Sequence, residues 1–217
     1  MPSYEAARES FSWQDAQDRL DGLPDGHLNI AHEAIDRHVV AGHGEQTALR
    51  WIAKSGARID MSYQDLQHLT NKFANVLRSH GLEQGDKVYA LLGRVPELYI
   101  AALGSLKAGC VFCPLFSAFG PEPIAARMTI GGANALITST RLYKRKVAGI
   151  RDSLEALETV FTIDGAVPDT VDLAPLMKDA ATTFETAQTG PEDTALLHFT
   201  SGTTGKPKGV VHVHQAV

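Results

Sequence analysis

The sequence lacks the features that mark three large classes of protein. No long run of lysine and arginine occurs in its 217 residues, and the formal net charge is -5, so it has no electrostatic footprint for DNA or RNA. No apolar stretch approaches the length that spans a bilayer, and the first residues lack the basic start and apolar core of a secretory signal. We therefore expect a cytoplasmic protein that binds neither nucleic acid nor a membrane.

Cysteine is also scarce, since the chain has only Cys110 and Cys113. Their Cys-x-x-Cys spacing is compatible with a redox pair or with half of a zinc site. Residues 110–114, however, have the pattern of a buried strand, in which positions i and i+3 point to opposite faces. No second cysteine pair is present to complete a zinc site. We favour two buried core cysteines.

Helical and strand patterns alternate through the middle of the chain. Ser62 is placed to cap a helix in which apolar residues recur at helical spacing as far as Gly81. Further predicted helices cover residues 96–109, 121–130, 141–149 and 173–178, and predicted strands cover 87–92, 110–114, 135–138 and 159–163. This alternation predicts an α/β fold in one contiguous domain, with a mostly parallel sheet flanked by helices. Residues 164–193 are expected to cross the surface.

A ten-residue stretch near the end of the sequence is rich in residue types that bind phosphate. Residues 200–209 read Thr-Ser-Gly-Thr-Thr-Gly-Lys-Pro-Lys-Gly. Glycines let backbone N–H groups converge on phosphate oxygens without an intervening Cβ, and the lysines add positive charge. The spacing is not that of a Walker A loop, and the β-branched residues that follow are typical of a strand. The pattern predicts a loop that joins two strands and binds a nucleoside triphosphate.

Together with residues 196–199, this loop resembles the phosphate-loop signature of the acyl-adenylate-forming superfamily, which includes acyl-CoA synthetases, luciferases and the adenylation domains of peptide synthetases. Upstream stretches resemble the acetyl-CoA synthetase (acetate-CoA ligase) branch in order and spacing. These stretches are residues 11–13, 28–38, 94–99, 103–109 and 114–119. The resemblance covers essentially the whole chain but only the N-terminal portion of the family's proteins.

The resemblance implies both a fold and an activity. Residues 1–217 would form the N-terminal portion of the AMP-binding (adenylation) domain, the family's large domain, with the C-terminal domain absent. The complete enzyme would be an ATP-dependent acetate, or short-chain acyl, CoA ligase that uses ATP, Mg2+ and CoA and passes through an acyl-adenylate. This chain alone would then be inactive. A non-catalytic nucleotide-binding module and one half of a split adenylating enzyme are the alternatives.

The resemblance also implies which residues bind the phosphates of ATP. The implied ligands are hydroxyl side chains, backbone N–H groups and lysines at Thr200, Ser201, Gly202, Thr203, Thr204, Gly205, Lys206 and Lys208. For Lys208, an ion pair with a local carboxylate is an alternative. The sequence offers no convincing general acid or base, so we assign no catalytic residue, and we assign no metal ligand.

A basic cluster offers a second candidate anion site. Lys144, Arg145 and Lys146 follow Arg141 in a predicted helix. Related synthetases bind the 3′-phosphate of CoA with basic residues in a comparable region, so the resemblance makes the first three candidate CoA ligands. The alternative interpretation is a solvated helix face, which is the usual place of a charge run.

Four ring side chains also have two interpretations. By the same resemblance Phe116 and Phe119 would border the CoA channel, whereas core packing is the general expectation for phenylalanine. His214 aligns with a histidine near the acyl pocket of some relatives, and His198 precedes the phosphate loop. For each histidine, a hydrogen-bonded structural role is the simpler expectation.

The expected partners are small molecules: ATP, CoA, and acetate or another short carboxylic acid. The acyl chain length stays open, because one methylene changes binding by only about 1–3 kcal/mol. The strand predicted at residues 210–213 would expose unpaired backbone groups, which invite self-association through that edge.

Overall fold

A seven-stranded sheet lies at the centre of the fold. The computed structural model describes residues 3–200 and 207–217. The strands in this part of the chain are β1 (Thr47–Ile52), β2 (Arg58–Ser62), β3 (Lys87–Leu91), β4 (Val111–Pro114), β5 (Ala135–Thr138), β6 (Thr159–Thr162), β7 (Val171–Asp172), β8 (Thr194–Thr200) and β9 (Lys208–Val213).

Helices connect most of these strands. The α-helices are α1 (Tyr4–Ser10), α2 (Trp13–Gln17), α3 (Tyr63–Ser79), α4 (Pro96–Lys107), α5 (Pro121–Gly131), α6 (Thr140–Leu142) and α7 (Leu173–Asp179). Turns of 3-10 helix cover Pro24–Gly26, Ala148–Ser153 and His214–Ala216, and π-helical turns cover His32–Asp36, Val39–His43 and Tyr143–Val147. The basic helix predicted at residues 141–149 is therefore present, although its turns are irregular.

The order of strands in the large sheet is β7-β6-β5-β3-β4-β8-β9. Neighbouring strands are parallel except β8 and β9, which form an antiparallel hairpin. The prediction of a mostly parallel sheet flanked by helices is confirmed. The sequence patterns missed β7 and the separate antiparallel pair formed by β1 and β2.

Alternating side chains of the central strands build one core on each face of the sheet. Val88 and Ala90 of β3 belong to a core that α3, α4 and α7 close. Tyr89 and Leu91 belong to a second core, closed by α5 and the helical turns of residues 140–153. Helices on both faces are the usual arrangement for a parallel sheet, whose strands are buried on both sides.

The two cysteines lie on opposite faces of β4 and the residue before it. Cys110 belongs to the first core and Cys113 to the second. Burial raises the pKa of each thiol to about 12, so neither forms a reactive thiolate near neutral pH. The prediction of two buried core cysteines is confirmed.

The capping signal predicted at the start of α3 is present. The Ser62 hydroxyl accepts a hydrogen bond from the backbone N–H of Asp65 at 3.1 Å, and the Asp65 carboxylate accepts one from the N–H of Ser62 at 2.9 Å. This reciprocal pair satisfies N–H groups that the first helical turn leaves unpaired. After the helix, Gly81 has a φ of 81°, which lets the chain reverse toward β3.

The connection between β6 and β8 follows the surface as expected, but buried side chains anchor its last part. The Asn29 amide donates to the carbonyl oxygens of Leu106 at 2.8 Å and Ala187 at 3.2 Å. The hydroxyl of Thr189, a residue only 1% exposed, donates to the carbonyl of Leu28 at 2.7 Å. Residues 28–36, which we call the N-terminal segment, and this connection therefore hold each other against the end of α4.

A buried ion pair joins the same elements. Lys107, with no exposed surface, donates to Asp36 at 2.7 Å and to the Asn71 carbonyl oxygen at 2.8 Å. The Asp36 carboxylate also accepts from Gln67 at 3.0 Å and from the Thr186 hydroxyl at 3.1 Å. Burial lowers the pKa of the Lys107 ammonium, and the charge of Asp36 opposes that shift. The network ties the N-terminal segment, α3, α4 and the connection to β8.

Two surface features bear on partners. Within the described sheet β9 is an edge strand, and its Val211 is exposed. Self-association through this edge stays a prediction. None of the helices in residues 3–200 and 207–217 is long and apolar enough to cross a bilayer.

We predict that Asp36→Asn lowers the free energy of unfolding by about 3–5 kcal/mol, because it leaves the Lys107 ammonium buried without a counter-charge. Urea titration followed by circular dichroism measures this. The matched control is Asp60→Asn, which breaks the exposed pairs that Asp60 on β2 makes with Arg50 and Arg58 and should change stability little. Equal small effects of the two substitutions would contradict the role given to Lys107.

Candidate functional site

The predicted phosphate loop is framed by the β8–β9 hairpin. Thr200 is the last residue of β8 and Lys208 the first of β9, and the two are paired across the hairpin. Paired residues of antiparallel strands point to the same face, with Cβ atoms about 4.5–5.5 Å apart. The prediction that the loop joins two strands is confirmed. The loop residues between these ends that we assigned to phosphate binding lie outside the described residues: Ser201, Gly202, Thr203, Thr204, Gly205 and Lys206.

The loop begins at the carboxyl edge of the parallel sheet. β8 is parallel to β4, so Thr200 ends its strand at the same edge where Leu91, Pro114 and Thr138 end β3, β4 and β5. In open α/β sheets, ligands bind outside the carboxyl ends of the strands. The topology thus brings the phosphate loop, the segment after β4 and the basic helical turns after β5 to one edge.

The hairpin is packed closely where the loop returns to the sheet. A Cβ atom at Gly209 would lie 3.1 Å from Leu197 Cδ1 and 3.6 Å from Phe199 Cε1. Leu197 in turn is buried in the core on the α5 side. Gly209 therefore lets β9 lie against two core side chains of β8, which fixes one end of the loop.

Thr200 and Lys208 present polar groups to solvent beside the loop. Both residues are exposed. Within the part of the chain that the structure describes, neither side chain has a hydrogen bond, and no carboxylate lies within 4.0 Å of the Lys208 ammonium. The alternative role of Lys208, an ion pair with a local carboxylate, thus has no support from these residues.

The three basic residues predicted as CoA ligands differ in their surroundings. Lys144 and Arg145 are exposed. Lys146 is half-buried, and its ammonium donates to the carbonyl oxygens of Ser117 at 2.5 Å and Phe119 at 2.7 Å. Two of the three charges therefore face solvent, and the third binds the segment that follows β4.

Phe116 and Phe119 form an edge-to-face pair with ring centroids 5.6 Å apart. Phe116 is 65% exposed, so the core-packing interpretation is wrong for this residue. Phe119 is half-buried, and the Arg127 guanidinium lies 4.2 Å from its ring centroid. The exposed ring of Phe116 and the charges of Lys144 and Arg145 thus belong to the same carboxyl edge.

His214 lies away from the loop, just beyond the far end of β9. It is 2% exposed, and its Nδ1 accepts a hydrogen bond from the backbone N–H of Ile30 at 3.2 Å. Burial lowers its pKa from the usual 6.5 to about 4, while Asp193 opposes the shift. The interpretation as a hydrogen-bonded structural histidine is confirmed.

His198 and His212 lie side by side on one face of the hairpin, with ring centroids 5.4 Å apart. Partial burial, and then the charge of His212, lower the pKa of His198. Among residues 3–200 and 207–217, no group of three or more His, Cys, Asp or Glu side chains could hold a metal ion.

Comparison with known proteins places these features in one family. The family described as AMP-binding enzyme matches residues 36–217. The acetyl-coenzyme A synthetase of Bacillus subtilis is 33% identical over 223 residues, which cover 100% of this chain and 38% of that protein. The 3-hydroxypropionyl-coenzyme A synthetase of Sulfurisphaera tokodaii is 29% identical over 211 residues, which cover 86% of this chain and 31% of that protein.

A solved structure agrees with the sequence relatives. The crystal structure of an acyl-CoA synthetase from Brucella canis matches with a TM-score of 0.87 at 28% identity, over 99% of this chain and 39% of that one. The chain therefore spans between 31% and 39% of the length of these relatives. The predicted resemblance, and the fold that it implied, are confirmed.

The low pKa of His214 predicts how stability depends on pH. The unfolded state takes up a proton near pH 6.5 and the folded state only near pH 4, so stability falls as the pH drops through this window. The expected loss is about 2 kcal/mol after allowance for partial solvent screening. Urea titrations between pH 7 and pH 4 measure it.

His214→Asn should remove this component of the pH dependence, because the Asn carbonyl oxygen can accept from Ile30 without titrating. The control is His43→Asn, at an exposed position. Parallel stability curves for the unchanged protein and His214→Asn would show that His214 does not titrate as described.

Proposed function

The chain belongs to the AMP-binding enzyme family, and we propose that it is the N-terminal portion of an ATP-dependent acyl-CoA ligase that works through an acyl-adenylate. One observation carries the proposal. The phosphate-loop signature of residues 200–209 stands between two paired strands at the carboxyl edge of a parallel sheet. In this view residues 1–217 belong to the adenylation domain, and the C-terminal domain lies outside this chain.

The loop would serve the first half-reaction. A carboxylate oxygen attacks the α-phosphorus of ATP, the bond from that phosphorus to the bridging oxygen breaks, and pyrophosphate leaves with the electron pair. Transfers of this kind depend on positioning and on stabilising the negative charge that develops on the leaving group. We assign that task to backbone N–H groups of Gly202, Thr203, Thr204 and Gly205.

Side chains would add to these backbone donors. We assign the hydroxyls of Thr200 and Ser201, with those of the two threonines just named, as further donors to phosphate. Lys206 supplies a counter-charge, and Lys208 adds charge from the first position of β9. The pairing of Thr200 with Lys208 supports these two assignments, because it brings both residues to the point where the loop leaves and rejoins the sheet. Mg2+ would accompany ATP, and we assign none of the described residues as its ligand.

The second half-reaction would use CoA. Its thiol gives up its proton to solvent, the sulfur attacks the acyl carbon of the adenylate, and AMP leaves as its phosphate takes the electrons of the broken carbon–oxygen bond. We propose that Lys144 and Arg145 attract the 3′-phosphate of CoA, since both are exposed on the turns after β5. Phe116, exposed after the neighbouring strand β4, would border the same channel.

We propose acetate or another short carboxylic acid as the acyl substrate. The support is the name of the Bacillus subtilis relative, an acetyl-coenzyme A synthetase. The alignment with that protein covers the full length of this chain. A 3-hydroxypropionyl-coenzyme A synthetase aligns at a similar identity, so chain length is a matter for measurement. Comparing ATP–pyrophosphate exchange with acetate, propionate and butyrate ranks the candidates directly.

We predict that Lys206→Met lowers acetate-dependent ATP–pyrophosphate exchange by about 10²- to 10³-fold in the protein expressed from its full reading frame, because it removes charge stabilisation from the leaving group. The control is Lys178→Met, an exposed position on α7. Exchange at the unchanged rate in Lys206→Met would refute the assignment of the loop.

The affinity of the isolated 217-residue chain for ATP distinguishes this proposal from a non-catalytic nucleotide-binding module. A module built for binding should hold ATP without further sequence, whereas a portion of a ligase that lacks its adenine contacts should bind ATP weakly and form no adenylate. Isothermal titration with ATP measures the difference. Micromolar affinity of the isolated chain would favour the module.

A further inference from the structure

The segment that follows β4 is held in place by a contact that the phosphate site does not use. Residues 115–120 leave the carboxyl end of β4 and lead into α5. They carry Phe116, one of the most exposed large apolar side chains among the described residues. An exposed ring on a short loop keeps a fixed orientation only if the backbone beneath it is held.

Lys146 holds that backbone. Its ammonium donates to the carbonyl oxygens of Ser117 at 2.5 Å and Phe119 at 2.7 Å, across 29 and 27 residues of sequence. An ammonium has three donors, and these two bonds occupy most of them. Hydrogen bonds from a charged donor are about twice as strong as neutral ones. Lys146 therefore fixes the two carbonyls that flank Ala118.

Arg127 holds the same segment from the α5 side. Its guanidinium lies 4.2 Å from the ring centroid of Phe119 and is itself fixed by a 2.8 Å hydrogen bond to the carbonyl of Pro123. Phe119 then packs edge-to-face against Phe116. The Phe116 ring is thus held outward by a chain of contacts that begins at Lys146 and Arg127.

The neighbouring charges of the basic cluster are placed differently. Lys144 and Arg145 are exposed, and across residues 3–200 and 207–217 neither side chain has a hydrogen bond or an ion pair. Their charge is available to a ligand, whereas that of Lys146 is directed at two carbonyl oxygens. Adjacent residues of one basic run therefore differ in role: two present charges to solvent, and the third binds the backbone of a neighbouring segment.

We propose that Lys146 is a positioning residue: it orders residues 116–120 so that a phosphorylated ligand meets Phe116 and the charges of Lys144 and Arg145, and it does not touch that ligand itself. The identity of the ligand as CoA rests on the proposed function. The ordering of the segment does not, because it follows from contacts within the chain.

Hydrogen exchange of the protein without ligand tests the ordering. In Lys146→Met the backbone amide of Phe119, which donates to the Phe116 carbonyl at 3.0 Å, should exchange about tenfold faster, because the turn that carries this bond loses both carbonyl contacts. Lys144→Met is the matched control, and its amides should exchange as in the unchanged protein. Lys146→Arg keeps charged donors and should exchange as slowly as the unchanged protein. If the methionine variant does not fold, faster exchange in Lys146→Arg would count against the proposal. Unchanged exchange in a folded Lys146→Met variant would overturn the proposal.

Binding of CoA and of 3′-dephospho-CoA to the protein from the full reading frame tests the division of roles. Lys146→Met should weaken both ligands by the same factor, about tenfold, with the KM for ATP unchanged. Lys144→Met should weaken CoA more than 3′-dephospho-CoA, because only CoA carries the 3′-phosphate. A loss confined to CoA in Lys146→Met would make Lys146 a direct ligand and overturn the proposal.

The two measurements also separate this inference from the proposed function. If the unchanged protein binds neither form of CoA, the proposed CoA site fails, and with it the ligand named here. The exchange experiment still decides whether Lys146 orders the segment. Lys178→Met, on the far helix α7, should leave both measurements unchanged and detects effects of charge alone.

Discussion

A single buried ammonium constrains how the parts of this chain come together. Lys107 ends α4, has no exposed surface, and is neutralised by Asp36 from the N-terminal segment. A charge taken out of water without such a partner costs several kcal/mol, so the fold is stable only when these elements meet. Because Asp36 also accepts from Thr186, the same network fixes the connection that leads into β8. After this connection, β8 pairs with β4.

The pairing of β4 with β8 places two candidate ligand-binding segments next to each other at the carboxyl edge of the sheet. The phosphate loop follows β8, and the segment with Phe116 follows β4, so two neighbouring strands carry the two segments assigned to ligands. The basic turns after β5 complete the edge, since Lys146 reaches back to the segment after β4. Under the proposed function, the candidate sites for the phosphates of ATP and for the 3′-phosphate of CoA therefore lie at the same edge of the sheet.

The features that depend on residues close together in the sequence could be predicted from it. The cap at Ser62, the opposite faces of Cys110 and Cys113, and the hairpin around the loop all follow from spacing and residue type, and each is present in the structure. The sequence did not reveal that Lys107 pairs with Asp36 or that Lys146 differs from its neighbours. Those contacts join residues 71 and 27 or more positions apart, and no periodicity of the chain encodes them.

The most direct test of the central claim is the location of phosphate on the protein. A crystal structure of the protein from the full reading frame, with ATP and Mg2+ bound, measures it. We predict that the phosphates lie within hydrogen-bond distance of the backbone N–H groups of residues 202–205, between Thr200 and Lys208. Phosphates bound elsewhere, for example at Lys144 and Arg145 with the loop empty, would contradict the account.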